Sequence, residues 1–139
     1  MFVHVSLWGV LLAAAAGMIV GMIWYSPSVF GKAWMKAIGQ TEKGMNERMG
    51  QAMPQLIIVS LLTAYALSLV ATYLHDLTLG SGFTAAVDAS LLVGIGFGAT
   101  TVIAHSVFDP RERQVMGINV GNRIVTLLAM GVVIGLFMR

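Results

Sequence analysis

The feature that most constrains this chain is where its charges fall. They cluster so tightly that four long segments, about 2–25, 54–74, 83–105 and 115–138, are left nearly free of them. Each segment is long enough to cross a hydrocarbon core of ~30 Å at ~1.5 Å per residue. Composition agrees: of the 139 residues, 58% are hydrophobic and 10% are charged. A soluble domain needs a polar coat, and 8 basic plus 6 acidic residues cannot supply one. The expected fold is all-α. It is a single transmembrane domain over 1–139, an integral membrane four-helix bundle with the lipid bilayer as part of its solvent. The chain has no Cys, which excludes disulfides and thiolate chemistry. The net charge of +2 is small, and no basic helix or aromatic RNA-binding pattern points to nucleic acid.

The first segment contains Ala13-Ala14-Ala15-Ala16, which resembles the cleavage region of a secretory signal peptide. However, no Lys or Arg precedes the apolar core, and the apolar run continues past the alanines, so it reads as a crossing. Trp8 near one end and Trp24-Tyr25 at the other suit the two interfacial aromatic belts. Ser26 then reads as a cap and Pro27 as a first helical residue, where a missing N–H costs nothing. Over 27–38, Val29, Phe30, Ala33, Trp34, Ala37 and Ile38 share one side, while Ser28, Lys32 and Lys36 repeat every four residues on another. That pattern predicts an amphipathic interfacial helix anchored by Trp24, Tyr25, Ser26, Pro27 and Trp34, with Lys32 and Lys36 toward the headgroups. Gly39 is its expected stop. Residues 41–53 read as a weaker polar helix or loop, and Pro54 as the start of the second crossing. His75-Asp76 mark its exit, Gly80-Ser81-Gly82 a turn, and 106–114 a charged loop.

Orientation follows from the basic residues. Lys32, Lys36, Lys43, Arg48, Arg111 and Arg113 fall on one side, and Arg139 alone on the other. The basic excess belongs in the cytoplasm. The expectation is a multi-pass protein of the inner (plasma) membrane, with both termini outside and the loops at about 26–53 and 106–114 cytoplasmic.

Small residues recur every four positions. Gly9, Ala13, Gly17 and Gly21 do so in the first crossing; Ala86, Ser90, Gly94 and Gly98 in the third. The fourth carries Gly117/Gly121 and Gly131/Gly135, and the second a weaker set, Ala64, Ser68 and Thr72. Such stripes let helix backbones approach closely, so that dispersion contacts drive association in lipid. More stripes exist than one small bundle needs, so a homo-oligomer or a place in a membrane complex is expected.

Arg123 is the most informative single residue. It lies roughly 12 Å from the cytoplasmic edge on straight-helix counting, where a charge costs at least ~2.5 kcal/mol unless paired, hydrated or able to snorkel. Asn119, Asn122, Arg123 and Thr126 share one face, which should meet protein or water. Asp88, the other intramembrane charge, sits at a different depth, so a direct pair with Arg123 is not expected. This polar set is either a pathway for an ion or small anion or a snorkelling Arg that holds the bundle. His4, His75 and Asp76 offer weak metal ligands with no motif spacing. Of the ten Met residues, Met18/Met22 and Met45/Met49/Met53 have helical spacing; they suggest copper only superficially, since Met is a routine filler of irregular packing. No nucleophile–base set, phosphate loop or cofactor motif is visible, so neither an enzymatic reaction nor a cofactor is read from the chain.

Several stretches together resemble a known family. Trp24-Tyr25-Ser26-Pro27, Phe30-Gly31-Lys32, Trp34-Met35-Lys36 and Gly39-x-Thr41-Glu42 are similar to the signature of family 1761 of the domains of unknown function. Val107-Phe108 before a charged, Pro-containing turn, Ile118-Asn119-x-Gly121 and Met130-Gly131-x-x-x-Gly135 fit it as well. The resemblance implies a small, mainly bacterial membrane protein of four helices and implies no activity. The chain departs from the pattern at Asn122-Arg123 and in the turn Asp109-Pro110-Arg111, so nothing about Arg123 follows from it. The functional expectation is a small membrane protein that forms or supports a pathway for a small solute or ion. The alternative is a structural or accessory subunit of a larger membrane complex.

Overall fold

The computed structural model describes residues 5–78 and 80–138. Regular structure among them is entirely helical: α1 (Leu7–Trp24), α2 (Gly31–Ile38), α3 (Glu42–Leu77), α4 (Gly82–Val93), a π-helical turn (Gly94–Ala99), α5 (Thr100–Phe108) and α6 (Pro110–Phe137). Among the described residues, four rods are long and apolar enough to cross a membrane: α1, α3, the continuous rod Gly82–Phe108, and α6.

The rods start where polar side chains take up the free N–H groups of a first turn. Ser6 Oγ accepts from Gly9 N, Thr41 Oγ1 from Gly44 N, and Ser81 Oγ from Thr84 N, each at 3.2 Å. Asp109 Oδ1 accepts from Arg111 N at 2.8 Å, with Pro110 in the first helical position. Asp109 alone joins α5 to α6, so the expected charged loop over 106–114 is mostly helix. Arg113 Nη2 donates to the Val107 carbonyl at 2.8 Å and so satisfies the end of α5.

Two boundaries differ from the sequence reading. The helix expected over 27–38 begins at Gly31. Ser26 does not cap it; the Ser26 hydroxyl turns back and donates to Ile23 O at 2.7 Å. The N–H groups of Val29 and Gly31 both donate to Ser26 O, which folds the chain into a tight turn. A Cβ at Gly31 would collide with the Tyr25 carbonyl, so this turn requires glycine. Gly39 does end α2, in the left-handed conformation (φ 72°). Pro54, expected to open the second crossing, instead sits inside α3, which starts at Glu42. At 36 residues α3 is ~54 Å long and exceeds a ~30 Å core. Proline removes one rung of its hydrogen-bond ladder without ending it.

The rods alternate in direction. Gly9 lies against Phe137, Gly17 against Met130 and Gly121 against Trp24, so α1 and α6 are antiparallel. Gly131 lies against Ser90 and Gly98 against Arg123, so the Gly82–Phe108 rod is antiparallel to α6 as well. Around the bundle the order is α1, α6, α4, α3 and back to α1. The core is built from small residues: Ala13, Ala64, Ala71, Ala86 and Ala89 have no exposed surface. Ser60, also buried, donates to Ala14 O at 2.9 Å and ties α3 to α1. The exterior is apolar instead, with Ile58, Leu62, Leu92 and Leu136 all exposed, as lipid-facing surface should be. The bundle is not uniform along its length. α3 packs on α4 but makes no substantial contact with α5. The π turn lies at that divergence. Its loosened carbonyls are taken up by hydroxyls, Thr100 Oγ1 donating to Gly96 O at 2.7 Å and Thr101 Oγ1 to Phe97 O at 2.6 Å.

A Cβ at Gly131 would lie 2.6 Å from Ser90 Cβ and 2.8 Å from Ala86 O, while one at Gly117 would meet nothing within 4 Å. Gly131→Val should therefore cost about 1–3 kcal/mol through overpacking, read as a lower thermal unfolding midpoint in detergent. Gly117→Ala should leave that midpoint unchanged or slightly raised, because Ala is the better helix former by about 1 kcal/mol.

Candidate functional site

The site is organised by one face of α6. Seven residues separate Glu112 from Asn119, which brings both to the same side, and Asn119 Nδ2 donates to Glu112 Oε2 at 3.2 Å. The Asn119 carbonyl oxygen accepts two aromatic donors from a different part of the chain. Tyr25 Oη donates to it at 2.9 Å and Trp34 Nε1 at 3.1 Å. One residue earlier, Ile118 O accepts from Trp24 Nε1 at 3.0 Å. Trp24 can approach because Gly121 has no side chain; a Cβ there would be 2.9 Å from Trp24 Cζ2. The Tyr25 and Trp34 rings lie 5.2 Å apart, and Trp24 and Phe30 4.7 Å. The aromatics read from sequence as membrane anchors thus direct their polar atoms onto α6. Lys32, Lys36 and Pro27 are exposed, and Ser26 serves the end of α1. Burial raises the Tyr25 pKa above its ordinary value; Arg123 opposes the rise and Glu112 adds to it. The phenol therefore remains a donor to Asn119.

Beyond this lock, the divergence of α3 from α5 leaves a cleft of about 950 Å³. Asn119, Asn122, Arg123 and Thr126 line one wall. Arg123 is the fourteenth of the 28 residues of α6, near its midpoint. Its aliphatic stem crosses the π turn: a Cβ at Gly98 would lie 2.7 Å from Arg123 Cγ. Among the described residues no carboxylate comes within 4.0 Å of its guanidinium. Asn122 Nδ2 and Thr126 Oγ1 are buried and have no hydrogen-bond partner. One cation, one amide N–H₂ and one hydroxyl thus stand at neighbouring positions of one helix face with unused donor capacity. That set suits an anion. The facing walls are largely apolar and rich in thioethers from Met18, Met22, Met35, Met45, Met49 and Met53, and they also carry Glu42, Asn46 and His105.

A second cavity, of about 340 Å³, lies at the opposite end of the bundle, lined by Ser6, Ser68, Thr72, His75 and Ile134 among others. His75 Nδ1 is buried there without a partner. Asp88 is exposed on α4 and lines neither cavity. Asp76 is exposed, His4 lies outside the described residues, and among those described no three acidic or His side chains are grouped to hold a metal. Gly17, Gly121, Gly131 and Gly135 sit where a Cβ would meet a neighbouring helix, and Gly94 is in ordinary contact with Leu127. Gly21 borders the cleft and, like Gly117, faces no atom within 4 Å.

Sequence reasoning missed the aromatic lock, Glu112, the thioether wall and the His75 cavity. A signal for the lock was present: Glu112 and Asn119 lie seven apart on a helix in which most neighbours are apolar. The π turn was foreshadowed by Gly94, Gly96 and Gly98 followed by Thr100-Thr101, which supply freedom and then hydroxyls.

The chain belongs to the family described as Protein of unknown function (DUF1761), whose profile matches residues 8–135. No curated protein and no solved structure matches it. The stretches that carry the family resemblance meet in space, Trp24-Tyr25 and Trp34 from the first and Ile118-Asn119 and Gly121 from the second.

Asn119→Ala would strand the Tyr25 and Trp34 donors, whereas Trp34→Phe removes one donor and leaves Asn119 bonded. The first should cost about 1–3 kcal/mol and the second about 0.5–1.5 kcal/mol. Thermal unfolding followed by tryptophan fluorescence checks the order; equal effects would show that Asn119 is not the hub.

Proposed function

We propose that the chain forms a pathway for a small solute or ion across the membrane, with anions favoured. One observation carries the reading: two cavities open from opposite ends of the same bundle, and the larger holds Arg123 with the unpartnered Asn122 and Thr126. A thin packed layer separates them. Met130 lines the larger cavity and Ile134, one turn along α6, the smaller; on α3, Ser60 lines the larger and Ser68, two turns on, the smaller. Between them lie Ala64 and Leu67, both buried, and Met130 fills the hollow at Gly17. A pathway closed by one layer needs only that layer to shift, and Met is the most adaptable apolar side chain to place there.

In this reading the protein sits in the inner membrane of a cell, with the end bearing Lys32, Lys36, Lys43, Arg48, Arg111 and Arg113 in the cytoplasm. The large cleft then opens toward the cytoplasmic side and the His75 cavity outward. The α2 helix rests along the headgroups, with Lys32 and Lys36 exposed. Association with further copies or a partner subunit belongs to the same proposal, supported by the uncovered Gly117 and the exposed Asp88.

Two measurements test this. In proteoliposomes, an anion panel should give flux above empty liposomes, and Arg123→Ala should lower it at least tenfold with the fold retained. No flux across the panel from folded protein would sink the proposal. For orientation, the chain has no Cys, so single substitutions label without background. Ser81→Cys should react from outside the cell and Gln40→Cys only after permeabilisation; the reverse pattern would overturn the orientation.

A further inference from the structure

We propose that the occupant of the large cleft is a single-chain amphiphile with a carboxylate head, delivered from the bilayer and not from the aqueous phase. The inference rests on the reading of this cleft as a working site and names the chemistry it would take. Three observations converge.

The cleft is divided. Its polar pole is the α6 wall, where the exposed Arg123 offers donors to a negative head, no carboxylate among the described residues pairs with the guanidinium, and the unpartnered Asn122 and Thr126 donors are buried beside it. A carboxylate can accept two parallel N–H groups from one Arg, with oxygen lone pairs left for an amide and a hydroxyl. Its apolar pole is the thioether stripe of the opposite wall, which also carries Glu42 and Asn46. Met45, Met49 and Met53 fall every four residues along the α3 extension, so they line one face. Unbranched thioether side chains adapt to a chain without selecting its length.

The cleft also opens sideways. α3 leaves α5 while it still packs on α4, so the cleft has a lateral gap between α3 and α5 in addition to its opening at the end that bears Lys43 and Arg48. Phe97, at the π turn, is 69% exposed and still lines the cleft. With hydrocarbon outside that gap, an acyl chain crosses it with little change of environment, whereas a small hydrated ion would have to shed water. Size is the third observation. About 950 Å³ lies at the upper end of what ordinary ligand pockets enclose, far beyond what a simple anion fills.

The test uses the full chain in phosphatidylcholine nanodiscs and a photoactivatable palmitate. Binding should saturate at one per chain and crosslink to the Met45–Met53 face. Arg123→Ala should weaken it at least tenfold and Arg123→Lys by clearly less. Met49→Asp, which leaves α6 untouched, should weaken it as well. Hexadecanol, a tail without a charge, and acetate, a charge without a tail, should both compete at least tenfold more weakly than palmitate. Competition by hexadecanol equal to that of palmitate would overturn the proposal, as would full binding by folded Arg123→Ala protein. Soluble-anion flux without palmitate binding would overturn this inference and leave the pathway standing; palmitate binding without flux would do the reverse.

Discussion

The close approach of α6 to its neighbours is the interaction on which the rest of this structure depends. In hydrocarbon, apolar side chains gain nothing by leaving lipid for protein, so helices are held by contact and by hydrogen bonds between backbones and side chains. α6 makes such contacts along its whole length. Gly135 admits Phe83, Gly131 admits Ser90, and Gly121 admits Trp24. At each of these positions a side chain would push the partner helix away. α6 packs against α1, α2, α3, α4 and α5, and none of the other rods touches as many. The bundle is best understood as three rods and a short helix arranged on this one.

The same helix explains why one half of the bundle is dense and the other is open. Toward Phe137, α6 carries glycines and aliphatic residues, and the neighbouring Ala86, Ala89 and Ser90 are fully or almost fully buried against it, leaving only the smaller cavity on the α1 and α3 side. Toward Pro110 it carries Asn119, Asn122 and Arg123, side chains too large and too polar for that kind of packing. The chain accommodates them in two ways. Asn119 is held by Tyr25, Trp34 and Glu112. Arg123 is given room by Gly98 in a π turn, after which α5 no longer keeps company with α3. A π turn inserts extra backbone into a helix and re-aims the next turns, and such turns are frequent at functional sites. Here it borders the larger of the two cavities, where Arg123 needs a wider interior.

Much of this was legible from charge spacing and periodicity. The four apolar rods follow from where Lys, Arg, Asp and Glu are absent. The shared face of Asn119, Asn122, Arg123 and Thr126 follows from helical geometry, and Gly39 as a stop follows from its conformational freedom. The helix boundaries were less legible because they are decided by local hydrogen bonds with competing solutions. Ser26 followed by Pro27 looks like the start of a helix, but the Ser26 hydroxyl found Ile23 O and its carbonyl found two N–H groups. Pro54 looks like a start too, but α3 carries the cost of one missing rung because the rest of a 36-residue helix is intact. Trp24, Tyr25 and Trp34 have the composition of a membrane-interface belt. What composition does not carry is direction, and the indole and phenol donors find Ile118 O and Asn119 Oδ1 across more than eighty residues of chain.

Arg123 can be weighed more sharply with the geometry in hand. An arginine at that depth costs at least ~2.5 kcal/mol unless it is paired, hydrated or able to reach the interface. Pairing has no partner among the described residues. Reaching the interface is opposed by the stem, which is laid across Gly98 in the middle of the Gly82–Phe108 rod. Hydration is left, and it requires that the cleft be wet at its α6 pole. The unpartnered Asn122 amide and Thr126 hydroxyl are buried beside it, and a buried donor without a partner costs about 1–3 kcal/mol. In the proposed pathway, a solute would have to displace such water and replace its hydrogen bonds. A neutral solute would leave a desolvated cation behind. An anion would restore the lost interactions with charge-assisted hydrogen bonds to the exposed Arg123. Selectivity for negative charge would then turn on the balance between Arg123 and the Glu42 and Glu112 carboxylates that line the same cleft, of which Glu112 is held by Asn119.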